Sequence, residues 1–516
     1  VFSRKKLEIC ANELTTNLLE FDSKIPYTID YECEQIIRKL PNYQEYLHLP
    51  EYVHLVSLLR KGIGIHHAGM MSILREIVEI LFARGMIKML FCTTSVAIGL
   101  NLPIRTAIFT DINKHDGDHL AILQGHEYTQ AAGRAGRLGL DTVGHVIHLN
   151  NLFHNVDLTG YKTMLNGKPQ SLTSQFKISF NLLLNLIDIG DNNLINFAKK
   201  SMINGDINAQ TSIIKTNILK LELELVKIQE TMNHLKTPVE TVKEYLDLVE
   251  KRLTAVNKKR KELDKQIQII TSNYKFIETD KVIIQKYIQK QAELISTQQI
   301  HENTQKYIDI NVSTIADLLE KDNFLVKDDV AQLKLTQKGS IATILRETHC
   351  LVFADLVDSK ILDDLTSKQL VSIFSCFTNV SVQEDLKTYI PRSSDSTVQN
   401  ITLKIKEMYE EYHEKEIKNR INTGTDYNIH FDLLDYASKW CDCEGIEDCK
   451  FLLQNLEKEK GIFLGEFVKA LLKINNISGE MEKIAELTGN IKFLSKLREI
   501  QQITLKYVVT NQSLYV

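Results

Sequence analysis

The sequence predicts a parallel-sheet α/β domain followed by a mostly α-helical remainder, and three observations carry that prediction. Residues 1–150 alternate short apolar runs with amphipathic helical stretches, the pattern of strands covered by helices. From Asp206 to Lys338 there is no glycine and a single proline, Pro238, so long uninterrupted helices are expected. The whole chain of 516 residues is 43% hydrophobic and 25% charged, which suits roughly three to four soluble domains.

In the α/β part the candidate strands are 63–65, 89–93, 106–111 and 145–149, with helices between them. In such a domain ligands meet the loops at the carboxyl ends of the strands. Those loops are where the turn-bearing segments fall. Gly62-Ile-Gly-Ile-His-His-Ala-Gly-Met70 precedes a helix at 72–84, and Phe91-Cys-Thr-Thr-Ser-Val-Ala-Ile-Gly-Leu-Asn-Leu-Pro103 reads as strand, then loop. The segment Gln130-Ala-Ala-Gly-Arg-Ala-Gly-Arg137 places Arg134 and Arg137 at i and i+3, on one face if the segment is helical. Each guanidinium offers planar, permanently charged donors suited to phosphate oxygens, and Gly133 and Gly136 leave room for close approach. A glycine-containing surface helix with solvated arginines is the plain alternative.

Taken together with the opening Val1-Phe-Ser-Arg-Lys-Lys6, these segments resemble motifs IV, IVa, V and VI, in order, of the second RecA-like domain of superfamily-2 helicases, specifically the Ski-like DExH group. The resemblance implies that Arg134 and Arg137 act as arginine fingers on a γ-phosphate, with Gln130 near the same phosphate. It puts Asn101 near the ribose, with Gly99 and Gly133 also on the nucleotide side. It places Thr93, Thr94, His67, Gly69 and Ser3 toward the RNA backbone, where hydroxyls and amides bind phosphates without reading bases. A structural role competes for the histidine pair, and Thr94 stands where the family often has Glu. Residues 114–128 read as a hairpin entering the last motif and resemble the family's strand-separating region.

A Gly-x-x-x-x-Gly-Lys-Ser/Thr loop and a DExH run are both missing from the sequence. The expectation is a C-terminal portion of a longer polypeptide, with ATP and Mg²⁺ held mainly by a first RecA-like domain and this chain alone inactive as an ATPase.

Residues 151–210 lose their glycine loops. Helices at 174–187 and 197–202 resemble the winged-helix segment after the helicase core, with Phe176, Phe180 and Leu184 as a core face. For residues 211–310, Ile214, Ile218, Leu221, Leu225, Ile228, Met232 and Leu235 keep 4,3 spacing, as do positions 242–270. Two heptad helices joined at Lys236-Thr-Pro238 are expected to form an antiparallel coiled-coil stalk, an arch-like insertion available to protein partners. Residues 311–516 resemble the DSHCT helical bundle, with a helix and hairpin wing at 315–341 and helices around Tyr436 to Trp440 and 461–472. Cys441, Cys443 and Cys449 crowd one loop without a fourth ligand, which disfavours zinc, and no metal site is expected.

Global properties bound the function. A net charge of −4 excludes a generally basic polyanion binder, so any nucleic-acid surface must be local. Eight cysteines in this length do not make a disulfide framework, and neither a membrane-length apolar run nor a signal peptide stands out. A soluble intracellular protein is expected, with nothing to separate nucleus from cytoplasm. The function implied is that of an ATP-dependent RNA helicase acting on single-stranded or partly duplex RNA. A DNA helicase of the same superfamily and a non-catalytic RNA-binding scaffold are the alternatives.

Overall fold

The computed structural model describes the chain except for residues 23, 94–103, 116–118, 138, 140, 150–151, 154, 156, 168–173, 191–192, 330–331, 381 and 510–516, and the side chain of residue 115. Contacts divide the protein into two compact units: 1–171 with 335–420 and 425–516, and 172–334 with 421–424.

The first unit opens with α1 (Arg4–Glu13), α2 (Ile25–Ile37), α3 (Tyr43–Leu47), α4 (Pro50–Leu59), β1 (Ile63–His66), α5 (Ser72–Ala83) and β2 (Met89–Cys92). Then come β3 (Thr106–Phe109), β4 (Asn113–His115), β5 (Leu120–Ile122), α6 (Gly125–Ala132), β6 (His145–His148) and α7 (Leu158–Leu165). The strands β1, β2, β3 and β6 fall on the expected stretches. β1 pairs parallel with β2, Ile63 opposite Met89, and β3 pairs parallel with β6, Thr106 opposite His145. β4 and β5 form an antiparallel hairpin just before α6.

Helix α5 shows why the pattern was readable. Ile73, Leu74, Ile77, Val78 and Leu81 recur at helical spacing and are all buried, and the helix stops at Arg84 before Gly85 at φ +74°.

The second unit contains α8 (Phe180–Asp188), α9 (Leu194–Lys199), α10 (Met202–Met232), α11 (Val239–Thr254), α12 (Asn257–Asn273), α13 (Ile277–Gln305), α14 (Tyr307–Lys321) and β7 (Leu325–Lys327), which pairs with β8 (Leu333–Leu335). The helix expected at 174–187 starts only at Phe180, where the Ser179 hydroxyl accepts the Leu182 N–H at 3.1 Å. Phe180 and Leu184 are buried core residues.

The long helices pair differently from expectation. The 4,3 stripe of α10 is its inward face, with Leu221 buried, but it packs along α13 and not along residues 242–270. The direction is antiparallel: Met232 shares a core with Ile277, while Glu224 meets Lys290 at 3.1 Å. The expected second helix is broken at Ala255 and Val256, which are extended, and α12 folds back on α11. Val242, Tyr245, Ile277 and Ile284 are the buried centre of this end, and Asp280 of α13 accepts the Thr237 N–H at 2.9 Å with both residues buried. The 4,3 pattern does not single out α13 as the partner of α10, because the inward face of α13 mixes Ile284, Tyr287 and Leu294 with Lys290 and Thr297.

Completing the first unit are α15 (Gln337–Ile344), α16 (Cys350–Asp358), α17 (Ser367–Ser375), α18 (Ser396–Asn419), α19 (Leu434–Asp442), α20 (Ile446–Lys460), α21 (Leu464–Thr488) and α22 (Ile491–Thr504). At the centre is α17, begun by a Thr366/Gln369 capping box. It is packed by α18, α19, α21 and α22, with Leu370, Val371, Ile373 and Phe374 wholly buried. Trp440 is also wholly buried and donates its indole N–H to the Thr504 carbonyl at 2.9 Å.

The contact units do not follow the expected segments one to one. Residues 151–171 join the α/β part's unit, and 311–334 belong with the long helices, so the expected segments 151–210 and 311–516 are each divided. Among the described residues no helix is long and apolar enough to cross a membrane.

Candidate functional site

The arginine-bearing segment is built by a helix that ends early. Gln124 and Glu127 box the start of α6, the Glu127 carboxylate accepting the Gln124 N–H at 3.1 Å and pairing with Lys114 of β4. Gly125 lies so close to Gly167 that a Cβ on either would sit 2.7 Å from the other's Cα. The helix closes at Gly133, whose N–H reaches the Thr129 carbonyl at 2.8 Å.

Arg134 and Arg137 thus stand beyond the helix, not on one of its faces as the spacing suggested. The chain there runs strand-like beside Ile104: the Ile104 N–H donates to the Arg134 carbonyl at 3.2 Å, and the Gly136 N–H to the Ile104 carbonyl at 2.6 Å. Gly136 is at φ +93°, a left-handed turn that a side chain would strain, and it lets the backbone turn between the two arginines. Gln130 lies on the exposed side of α6, one helical turn before Arg134.

Under this segment is a core of Ala107, Phe109, Ile112, Leu123 and Met164. His148 at the end of β6 stacks on Phe109 and Tyr128, and Tyr128 Oη lies 3.3 Å from His148 Nε2, fixing α6 on the β3–β6 pair. Burial lowers the His148 pKa, which favours the neutral ring that stacks here.

Arg137 has a partner that spacing alone could have revealed at i+4. Its Nε donates to Asp141 Oδ2 at 2.8 Å, its Nη2 to Asp141 Oδ1 at 3.0 Å, and its backbone N–H to Oδ2 at 3.0 Å. The Arg137 hydrogen bonds hold the Asp141 carboxyl down at about 2. The Asp141 side chain is 8% exposed and that of Arg137 43%, so the cation remains open to a ligand.

Two of the other expected contact residues, His67 and Gly69, are occupied elsewhere. His67 is wholly buried: Nε2 is 3.1 Å from Glu8 Oε1, Nδ1 accepts the Gly69 N–H at 3.2 Å, and its ring meets Phe463 edge-on at 5.4 Å. Gly69 is buried too, its carbonyl accepting the Gly465 N–H at 3.0 Å. These two do not face a ligand surface, because the start of α21 covers them. Lys469 donates to the Ala68 carbonyl at 2.9 Å, and Arg4 pairs with Glu466. Phe463 lies some four hundred residues along the chain from His67, which no local pattern could anticipate. The half-buried Ser3 caps α1, its hydroxyl oxygen accepting the Lys6 N–H at 3.4 Å. Thr93 directly follows β2, its N–H bonded to the His66 carbonyl at 3.3 Å. Thr94, Gly99 and Asn101 lie outside the described residues.

Among the described residues no group of three or more His, Cys, Asp or Glu side chains is placed to hold a metal ion. Cys441 and Cys443 donate to the Ala437 and Lys439 carbonyls one turn back along the chain.

Residues 35–139 match the helicase conserved C-terminal domain, and residues 332–511 match the DSHCT (NUC185) domain. The chain is 42% identical over 190 residues to the antiviral helicase SKI2 of Saccharomyces cerevisiae, 37% of this chain and 14% of that protein. It is 45% identical over 141 residues to Superkiller complex protein 2 of Mus musculus, 27% of this chain and 11% of that protein. It is also 45% identical over 141 residues to the ATP-dependent RNA helicase mtr4 of Schizosaccharomyces pombe, 27% of this chain and 12% of that protein. The aligned part of this chain thus spans less than a sixth of the length of these relatives.

Proposed function

We propose, from a chain in which a helicase C-terminal domain is followed by a DSHCT domain, that this protein forms the C-terminal part of an ATP-dependent RNA helicase of the Ski-like DExH group. It would act on single-stranded or partly duplex RNA in RNA processing or decay. Residues 1–150 form the second RecA-like half of the motor, and the helical part of the same unit guides the RNA. The long-helix pair of the second unit serves as an arm for protein partners.

The observation that carries this reading is the placement of Arg137. Its guanidinium is held on a loop just past α6 and the bridge between Ala135 and Ile104, and is 43% exposed. ATP with Mg²⁺, when bound between this half and a first RecA-like half, supplies the phosphoryl group and neutralises part of its charge. Arg137 and Arg134 would donate to the terminal phosphate oxygens, stabilising negative charge as it shifts toward the leaving oxygen. Gln130, one turn earlier on α6, would orient the attacking water. Gly133 lets the backbone leave the helix close to the nucleotide, and Asn101 with Gly99 would lie on its ribose side. Thr93 and Thr94 remain candidates for RNA backbone contact. Ser3, half-buried and using its hydroxyl only as an acceptor from the Lys6 N–H, would keep its proton to donate to an RNA phosphate, whereas His67 and Gly69 lie buried beneath the start of α21.

The test uses the complete enzyme. Arg137→Ala should lower kcat for RNA-stimulated ATP hydrolysis by about 10³-fold, with RNA affinity little changed. Retained turnover with weakened RNA binding would assign the arginine to RNA and sink the proposal.

A further inference from the structure

We infer that Asp141 is a positioning residue for the arginine finger, holding Arg137 side-on so that the far edge of its guanidinium is presented to phosphate. This rests on the role proposed for Arg137 above.

The geometry is specific. Of the five guanidinium N–H groups, Asp141 engages Nε and one on Nη2, leaving the Nη1 side of the fork for an incoming oxyanion. The same carboxylate takes the Arg137 backbone N–H, so it fixes both the side chain and the turn that carries it. That turn is tightly set. Gly136 is left-handed, and a Cβ on Gly144 would lie 2.4 Å from the Ala135 carbonyl oxygen, which presses the 141–144 segment against the finger's own backbone. An unrestrained arginine loses much side-chain freedom when it meets a phosphate. One already clamped is preorganised, and that advantage counts most in the transition state.

Asp141 needs no protonation change to do this. Its low pKa keeps it ionised throughout the working range, so it is a fixed anion and not an acid–base group. The Coulombic influence of Arg105 acts in the same direction.

The complete enzyme is assayed as Asp141→Asn, Arg137→Ala and the double variant, each checked for wild-type melting. Asp141→Asn should lower kcat by roughly 10- to 100-fold, with KM for ATP changed by less than about 3-fold and RNA affinity unaltered. In the Arg137→Ala background it should cost less than about 2-fold more, since residues acting as a unit are non-additive. An unchanged kcat, or an equal loss in both backgrounds, would overturn the inference. Full turnover by Arg137→Ala itself would instead overturn the finger role, whatever Asp141→Asn does. Should the Asn variant melt early, Asp141→Glu keeps the anion. It should retain kcat within about 5-fold of wild type, and a Glu variant that melts normally yet falls as far as Arg137→Ala would count against the inference.

Discussion

The seam inside the first unit and the helix pair of the second hold together in opposite ways. Where α21 meets the 67–70 turn, backbone lies on backbone: a Cβ on Gly465 would sit 2.4 Å from the Met70 carbonyl carbon and oxygen. Around that contact Lys469, Glu466 and Phe463 each take a specific partner. The pair α10 and α13 has no glycine between Asp206 and Gln305 that could permit such approach, and it packs by side-chain stripes while Leu219, Leu223, Val226, Val282 and Ile295 stay exposed. Close-packed backbone tolerates no added atom, whereas a stripe of side chains accepts some change of volume. The seam therefore joins α/β and helical parts as one body, and the long helices form an element of their own.

The largest expected effect comes from breaking the seam. Gly465→Ala should destabilise the first unit by about 3 kcal/mol or more, because the colliding atoms are backbone and cannot swing aside. Urea unfolding followed by Trp440 fluorescence measures it, since that residue lies in the same unit. A loss of only a few tenths would mean that the seam is loose.

Next in size, Ile284→Ala should cost about 2 kcal/mol, confined to the second unit. Ile284 is wholly buried in the core with Val242, Tyr245 and Ile277. Hydrogen exchange should speed up in α11 to α13 and stay unchanged in α17. Loosening that spread to α17 would contradict the separation of the two regions.

The smallest effect concerns pH. Burial raises the Glu51 pKa, its own backbone N–H opposes this, and the charges of Glu457 and Glu8 add to the rise. Glu457, on α20, is raised by burial and by Glu8 as well. A carboxyl whose folded pKa exceeds its unfolded value, ~4.3, contributes stability that is complete below that value. The contribution is lost as pH climbs through the raised one. Glu51→Gln should leave Tm unchanged near pH 4 and raise it by roughly 2 °C near pH 7.5. A uniform shift at both pH values would remove Glu51 as the source of the dependence.

Much of this molecule follows from patterns a few residues wide. The strands at 63–66, 89–92, 106–109 and 145–148, the buried stripe of α5 and the inward face of α10 are set by the periods of strand and helix, which any short window reveals. The arginine segment was visible as chemistry, whereas its clamp, Asp141 four residues after Arg137, emerged only from the fold. What only the folded chain decided was partnership. A heptad stripe says that a helix has a face to bury but not which helix will bury it, and α13 won over α11 and α12 once Ala255 and Val256 interrupted the latter pair. Likewise His67 carries the same imidazole in any fold. It became a core residue because Phe463 arrived from the far end of the chain and excluded water and ligand from its ring. Periodicity is a local property of the covalent chain, whereas burial depends on which distant surface fits, and that is settled only when the whole unit packs.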